Sequence, residues 1–183
     1  MLYTIGHSNT LFEDFVERLD VNAIDVLIDV RSQPASSYSP QFNREALRRA
    51  LPARVRYAFL GDSLGGRPAD RGLYDGGGRV LYGPLSRSDR FLLGIDQLER
   101  NHGRHRMALL CSEADPLACH RFLLISRVLV ERGWDPLEIL HIIGDGSTRT
   151  QAELAFQGRL MEDAWTSPLS VLREPAPTTS SSA

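Results

Sequence analysis

Five short apolar segments, separated by stretches with helical periodicity, constrain the fold of this chain more than any other feature. The predicted strands are residues 2–5, 26–30, 54–59, 107–110 and 139–143. In most of them the apolar residues run continuously, which is typical of strands that are buried on both faces. The intervening stretches repeat apolar residues every three to four positions, as amphipathic helices do. The sequence therefore predicts an α/β fold of three layers, in which a mostly parallel sheet of about five strands has helices on both faces.

Length and composition favour one globular domain. The chain has 183 residues, of which 42% are hydrophobic and 24% charged, and these values exclude a wholly disordered chain. We predict a single domain over residues 1–165 and a disordered tail over 166–183, which ends in a Pro-, Thr- and Ser-rich stretch. No apolar run reaches the roughly 18 residues of a membrane helix, and the first residues lack the features of a secretory signal. We therefore expect a cytoplasmic protein without membrane partners, and composition leaves its oligomeric state open.

Residues 60–85 stand apart because they contain eight glycines. A segment of this length without evident secondary structure is typically a functional lid or a disordered loop. We predict a lid-like loop that closes over a cleft.

Polar residues with reactive or charged side chains follow the predicted strands. In an open parallel sheet, ligands bind at the carboxyl ends of the strands, so these residues are expected to share one cleft. The predicted cleft residues are His7, Ser8, Asp29, Arg31, Ser32, Cys111, Glu113 and Asp145.

The densest chemistry lies in residues 109–121, which are predicted to form a strand, a turn and the start of a helix. Asp115 followed by Pro116 is a helix-start signal, and the helix is predicted to run to Gly133. Because a helix N-terminus attracts anions and lowers the pKa of a neighbouring thiol, Cys111 is a candidate nucleophile or redox thiol.

Arg121 is predicted to lie on the apolar face of the same helix, pointing toward the sheet. A buried guanidinium needs a partner, and the sequence offers Asp29, Glu113 or a bound oxyanion.

These residues lead to a first hypothesis: an enzyme or anion binder that acts on a phosphate-, sulfur- or nucleotide-containing ligand. Arg31 and Arg121 would neutralise an oxyanion, and His7 or His120 would act as acid or base. Glu113 would orient one of the histidines. Purely structural roles are the alternatives: Asp29 and Arg31 also suit a structural ion pair, and Cys111 also suits the role of a small apolar residue buried at a strand end.

A second hypothesis is a metal site for zinc or iron, built from Cys111, Cys119 and His120 with an acidic or histidine partner such as Glu113 or His7. The first hypothesis requires no cofactor, whereas this one adds a divalent metal. The spacing Cys-x₇-Cys-His does not match the C-x₂₋₄-C pairs of zinc fingers. The site therefore requires Cys111 and Cys119 to converge in space.

A third hypothesis is a nucleic-acid-binding module. Residues 31–67 contain seven arginines against Glu45 and Asp62, a local surplus of five positive charges. Such a surplus suits a phosphate-bearing partner. The net charge of the whole chain is -2, which argues against binding a polyanion through the entire surface.

Several sequence motifs carry a family resemblance. They are Thr4-Ile5-Gly6-His7-Ser8; Ile28-Asp29-Val30-Arg31-Ser32 with Pro34, Pro40, Gln41 and Phe42; Leu64-Gly65-Gly66-Arg67; Leu110-Cys111-Ser112-Glu113-Ala114-Asp115-Pro116 with Cys119-His120-Arg121; and His141-Ile142 with Gly146. In this order, over residues 2–147, they resemble the bacterial "domain of unknown function 488" family. The resemblance implies an α/β fold without an established activity, and it marks His7, Arg31, Cys111, Glu113, Cys119, His120 and Arg121 as motif positions. The chain departs from the family at Ser37, where a basic residue is usual.

A looser resemblance connects the chain to rhodanese-like sulfurtransferases. Residues 27–31, Leu-Ile-Asp-Val-Arg, are similar to their early strand, and a strand-end cysteine before an Arg-bearing helix is similar to their active loop. Those loops place the arginine close after the cysteine, as in C-x₅-R, whereas Arg121 lies ten positions after Cys111.

Overall fold

A computed structural model of the chain, which describes residues 1–158 and 165–168, confirms the predicted α/β fold. The six strands are β1 (Leu2–Gly6), β2 (Val26–Asp29), β3 (Arg56–Phe59), β4 (Met107–Cys111), β5 (Ile139–Ile142) and β6 (Thr148–Thr150). Their order across the sheet is β3-β2-β4-β1-β5-β6. The first five strands are parallel, so their carboxyl ends lie along one edge of the sheet.

The sixth strand was not predicted. It is a three-residue polar segment that pairs antiparallel with β5 at the edge of the sheet. Because its residues are polar and only half-buried, it lacks the continuous apolar pattern by which the other strands were found.

Helices cover both faces of the sheet. On one face lie α1 (Phe12–Val21) and α2 (Arg44–Ala50). On the other lie α3 (Gly61–Leu64), α4 (Tyr82–Ser86), α5 (Asp89–Asn101) and α6 (Arg127–Glu131). Helix α7 (Gln151–Gly158) follows β6, and short 3₁₀ turns occupy Pro40–Phe42, Arg71–Leu73 and Pro116–Ala118.

Alternate residues of the central strands supply two separate apolar layers. Ile28 and Leu109 pack into the core beneath α5 and α6, whereas Leu27 and Leu110 pack into the core beneath α1 and α2. Successive side chains of a strand point to opposite faces, so each buried strand contributes to both layers. The same alternation decides on which side of the sheet each strand-end residue lies.

The glycine-rich segment 60–85 is not the irregular loop that its composition predicted. It contains α3, a 3₁₀ turn and α4, and it buries Leu64, Val80, Tyr82 and Leu85 in the core. Three of its glycines, Gly61, Gly65 and Gly66, permit close packing: a Cβ at Gly65 would lie 2.3 Å from the hydroxyl of Ser32.

The helix predicted from Pro116 to Gly133 is interrupted. Asp115 caps the first turn, as predicted, by accepting a hydrogen bond from the amide of Leu117 at 2.9 Å. That 3₁₀ turn ends after three residues because Cys119 adopts an extended backbone, and a π-helical turn over Arg121–Ser126 then leads into α6. The interruption removes the continuous helix N-terminus that was predicted beside Cys111.

Only the start of the predicted tail, residues 166–183, is described by the structure. Residues 165–168 pack beside Val80, because the amide of Ser167 donates a hydrogen bond to the carbonyl of Val80 at 2.9 Å. Residues 169–183, most of the predicted tail, lie outside the described residues.

Among the residues that the structure describes, none of the helices is both long and apolar enough to cross a bilayer.

His141 on β5 links the protonation of a buried imidazole to folding. Its Nδ1 lies 2.8 Å from the hydroxyl of Thr4, and its Nε2 lies 2.8 Å from Oε1 of Gln151. Burial lowers the pKa of His141 from 6.5 to about 4, although the hydrogen bond to Gln151 opposes the shift.

Because the folded state resists protonation of His141, its contribution to stability is complete above pH 6.5 and is lost as the pH falls toward 4. We expect the free energy of unfolding to drop by about 2 kcal/mol from this residue between pH 7 and pH 5, measured by urea unfolding. The slope should be smaller in His141→Gln, because that variant lacks the titrating ring. Equal slopes in the wild type and His141→Gln would contradict this assignment.

Candidate functional site

A buried ion pair stands at the carboxyl end of β2. Arg31 donates from Nε to Oδ1 of Asp29 at 2.9 Å and from Nη2 to Oδ2 at 2.6 Å. The hydroxyl of Tyr57 donates to the same carboxylate at 2.8 Å. Both charged side chains are almost inaccessible to solvent, so each depends on the other for its charge compensation.

Arg31 also holds His7. Its Nη1 lies 3.0 Å from Nε2 of His7, and its Nη2 donates to the carbonyl of Phe42 at 2.8 Å. The Nδ1 of His7 lies 2.7 Å from the carbonyl of Ser8, and its ring stacks on Phe42 at 4.4 Å. This geometry suits a neutral imidazole with its proton on Nδ1, and burial, reinforced by the charge of Arg31, lowers the pKa of His7.

The donors of Arg31 are therefore largely committed. Four of its five N–H groups have acceptors within the protein. The arrangement matches the structural ion pair that the sequence left open, and it leaves Arg31 little capacity to bind an oxyanion.

A second buried group lies on the other side of the sheet edge and consists of Cys111, Cys119 and His120. We call it the Cys/His cluster. The Sγ atoms of Cys111 and Cys119 each lie 3.7 Å from Nδ1 of His120, and the three ligand atoms all lie within 4.8 Å of one another. The convergence that the metal hypothesis required is thus present.

The interruption of helical structure at Cys119, between the 3₁₀ turn and the π-helical turn, produces this convergence. Cys111 ends β4, and the extended residue Cys119 turns the chain back so that its thiol and the ring of His120 face Cys111. The Nε2 of His120 lies 3.1 Å from the carbonyl of Val30. In the sequence, Val30 stands between Asp29 and Arg31, the two members of the ion pair. When only Nε2 carries a proton, it donates to that carbonyl and the Nδ1 lone pair faces the two sulfurs; when both nitrogens are protonated, Nδ1–H donates to a thiolate instead.

The two thiols differ in their electrostatics. A hydrogen bond from Cys119, together with His120 and Arg121, holds the pKa of Cys111 well below its usual range, against the effect of burial. Burial and the neighbouring Cys111 raise the pKa of Cys119. Cys111 is therefore the thiol that ionises first, with Cys119 as its hydrogen-bond donor.

Arg121 is fully buried beside the cluster but has a different partner from those predicted. Its Nη1 donates to the carbonyl of Glu113 at 2.5 Å, and its Nη2 donates to the carbonyl of Ala114 at 2.9 Å. Its Nε has no hydrogen-bond partner, and no carboxylate in the described part of the chain pairs with it. The prediction that Asp29 or the Glu113 carboxylate pairs with Arg121 is wrong, since Asp29 is bound to Arg31 and the contact with Glu113 is to its backbone.

The remaining predicted cleft residues lie around these two groups or away from them. Ser8 contributes backbone contacts near His7, and the hydroxyl of Ser32 accepts from the amide of Arg67 at 2.9 Å. The side chain of Glu113 is exposed, and Asp145 is exposed in a turn beside α1, where it accepts from the amide of Ser147. The structure therefore joins His7 to Asp29 and Arg31, joins Cys111 to Cys119 and His120, and leaves Glu113 and Asp145 outside both groups.

The sequence analysis missed Tyr57, and it named Phe42 and Gly66 only as motif residues without a role in the site. Gly66 packs against His120 so closely that a Cβ there would lie 2.8 Å from Nδ1. The adjacent pair Gly65-Gly66 was a signal for such an approach, since glycine permits close contact with a neighbouring ring. Nothing in the local sequence around Tyr57 indicates its hydrogen bond to a strand-end carboxylate.

The arginine surplus of residues 31–67 is dispersed in the structure. Arg44 lies over the ring of Phe59 at 4.2 Å, Arg48 pairs with Glu45, and Arg54 pairs with Asp20. The pairing with Asp20 compensates one further positive charge, whereas Glu45 is already counted in the surplus and the ring of Phe59 leaves the charge of Arg44 in place. These contacts give no specific support to the nucleic-acid hypothesis.

The fold and the site define an open, mostly parallel α/β protein with a buried thiol and imidazole group at the carboxyl ends of its strands. A sequence profile described as Domain of unknown function DUF488 matches residues 11–128, which is more than half of the chain. The chain belongs to this family. Searches of curated proteins and of solved structures each return no significant match. The looser resemblance to rhodanese-like sulfurtransferases receives no support from these comparisons.

Proposed function

We propose that this protein binds a transition-metal ion, with zinc preferred, through Cys111, Cys119 and His120, and that it uses the free fourth coordination position for a ligand. The observation that carries the proposal is the convergence of three ligand atoms, all on buried residues, within 4.8 Å of one another.

The spacing of the ligand atoms suits tetrahedral zinc. Zn–S bonds of about 2.3 Å and Zn–N bonds of about 2.1 Å at a tetrahedral angle separate sulfur from nitrogen by about 3.6 Å. The corresponding separations in the Cys/His cluster are both 3.7 Å. These two sulfur–nitrogen separations are therefore close to those that a tetrahedral zinc ion requires.

The hydrogen bond between His120 and Val30 is the kind of contact that supports a metal ligand. Histidines that bind metals usually donate their other ring N–H to a carbonyl or carboxylate, which fixes the tautomer and the ring orientation. The Nε2 of His120 lies 3.1 Å from the carbonyl of Val30, so Nδ1 is the free ligand atom.

The donor set indicates which metals and which kind of site are favoured. Two thiolates and an imidazole suit zinc and other borderline or soft ions, not magnesium or calcium, which prefer oxygen ligands. Structural zinc sites use four protein ligands, whereas catalytic sites use three and keep the fourth position open. The part of the chain that the structure describes offers three, so the site resembles the catalytic kind, in which the metal acts as a Lewis acid.

The charges around the cluster support a negatively charged fourth ligand. Two thiolates balance a divalent ion, and the buried guanidinium of Arg121 then leaves one positive charge without a carboxylate partner. An anion at the fourth position would neutralise it.

Metal analysis of the full-length chain, purified without a His tag, tests the proposal. We expect about one zinc per chain, and a loss of affinity of at least about a hundredfold in Cys111→Ser, Cys119→Ser and His120→Gln. The matched control is His102→Gln, a histidine that stacks on Trp134 away from the cluster.

The wild-type protein loaded with cobalt provides a second measurement that does not depend on the folding of the variants. Coordination by thiolates predicts a sulfur-to-cobalt charge-transfer band in the near ultraviolet. Purified protein without stoichiometric metal, and without zinc uptake in competition with a chromophoric chelator, would contradict the proposal.

A second candidate function is that Cys111 acts as a nucleophilic or redox thiolate without a metal. The geometry favours it, because Nδ1 of His120 lies 3.7 Å from Sγ of Cys111 and the buried guanidinium of Arg121 has no carboxylate partner among the described residues. The hydrogen bond from Cys119, together with His120 and Arg121, holds the pKa of Cys111 well below its usual range. In this case Arg121 and the Cys111 thiolate compensate each other's buried charge.

The rate at which iodoacetamide alkylates Cys111 in metal-free protein, measured against pH by mass spectrometry, tests the second candidate. We expect a midpoint below about 8.5, the usual thiol value. Cys119→Ala should raise the midpoint more than Cys119→Ser, because the serine hydroxyl still donates a hydrogen bond. An ordinary midpoint in the wild type, or the same midpoint in both variants, would contradict a thiolate stabilised by Cys119.

A further inference from the structure

A large surface cavity lies next to the Cys/His cluster and is not used by the proposed metal site. It has a volume of about 610 Å³ and is formed by the segment 61–74, by Ser32 and Gln33 after β2, and by the start of α5. That volume falls in the range of cavities that bind small organic ligands.

Three arginines line this cavity: Arg67, Arg71 and Arg90. All three are exposed, and none of them forms an ion pair or a side-chain hydrogen bond among the described residues. By contrast, Arg48 and Arg132 on other surfaces are paired with carboxylates.

Two acidic side chains face the same space, and they do not cancel the positive charge. Asp62 and Asp70 line the cavity, so its charged side chains sum to one positive charge. Asp70 is already engaged, because its Oδ1 accepts from the amide of Gly72 at 2.8 Å. The free guanidinium groups are therefore available to an anion, and the planar fork of arginine suits phosphate in particular.

The cavity also offers apolar and aromatic surface. Leu73 and Tyr74, which are partly exposed, line it together with Leu85 and Phe91, which are almost fully buried. Tyr74 is the lining aromatic side chain that is accessible to a ligand, and it is held in place by donating its hydroxyl hydrogen bond to the carbonyl of Pro68 at 2.8 Å. A ligand with both a phosphate and an aromatic ring would use both kinds of surface.

We propose that this cavity binds a small organic phosphate that carries an aromatic ring, of the class of nucleoside monophosphates, with Arg67, Arg71 and Arg90 contacting the phosphate. The proposal does not depend on a metal. The cavity and the Cys/His cluster share one wall, since Gly65 lines the cavity while Gly66 packs against His120. A ligand bound here would thus lie beside the proposed metal site.

Isothermal titration of the full-length chain with AMP, adenosine and ribose 5-phosphate tests the proposal. We expect AMP to bind at least about tenfold more tightly than either of the other two, because each of them lacks one half of the recognised group. The titration is done with the metal-free and the zinc-loaded chain, and AMP should bind to both.

Substitution of the arginines locates the site. Arg67→Gln, Arg71→Gln and Arg90→Gln should each weaken AMP binding by about tenfold. The matched control Arg48→Gln, an exposed arginine on α2 outside the cavity, should leave AMP affinity unchanged. Since all four side chains are exposed, circular dichroism should show the native fold in every variant.

The proposal is overturned if millimolar AMP gives no heat of binding, or if adenosine or ribose 5-phosphate binds as tightly as AMP. It is also overturned if the three cavity variants bind AMP as Arg48→Gln does. None of these outcomes bears on zinc content, so failure here is distinguishable from failure of the metal proposal.

Discussion

The buried ion pair between Asp29 and Arg31 is the interaction on which the candidate site depends. It closes a three-residue turn at the carboxyl end of β2, and each residue of the turn holds a different part of the site. Arg31 positions His7 and the carbonyl of Phe42, while Val30 accepts from His120 through its own carbonyl. Removing one partner would leave a buried charge uncompensated, which typically costs about 3–5 kcal/mol. The turn thus couples the stability of the strand end to the placement of two histidines.

The strand order explains why two groups, not one, lie at this edge of the sheet. β4 is inserted between β2 and β1, so the end of β4 lies next to both the Asp29 turn and the residues after β1. Side-chain alternation then sends Leu110 toward α1 and α2, and Leu109 toward α5 and α6. His7 packs with Phe42 on the first side, whereas Cys111 meets His120 from the chain that leads into α6. The two groups meet through the Val30 carbonyl.

The general fold was predictable from the sequence because continuous apolar strands are visible without tertiary information. The carboxyl-edge rule also selected Cys111, Arg31 and His7 correctly as strand-end residues. The geometry of the Cys/His cluster was not predictable from spacing, because seven residues separate the two cysteines and no local motif fixes such a loop. It depends on the extended backbone at Cys119 and on Arg121, which holds the carbonyls of the 113–114 loop.

Arg121 also shows how the sequence can indicate a residue and still mislead about its partner. An arginine on the apolar face of a helix implied a buried carboxylate or an anion, and the structure supplies two backbone carbonyls instead. Carbonyls solvate a guanidinium but do not neutralise it. The charge of Arg121 therefore remains available to the thiolates of the cluster, and this electrostatic feature links the metal proposal with the thiolate alternative.

X-ray absorption at the zinc edge of the zinc-loaded, full-length protein tests the central claim most directly. The account predicts two sulfur neighbours at about 2.3 Å and at least one nitrogen neighbour at about 2.0–2.1 Å, with one sulfur lost in Cys111→Ser. A first shell of only nitrogen and oxygen atoms, or a sulfur count that does not change in Cys111→Ser, would contradict it.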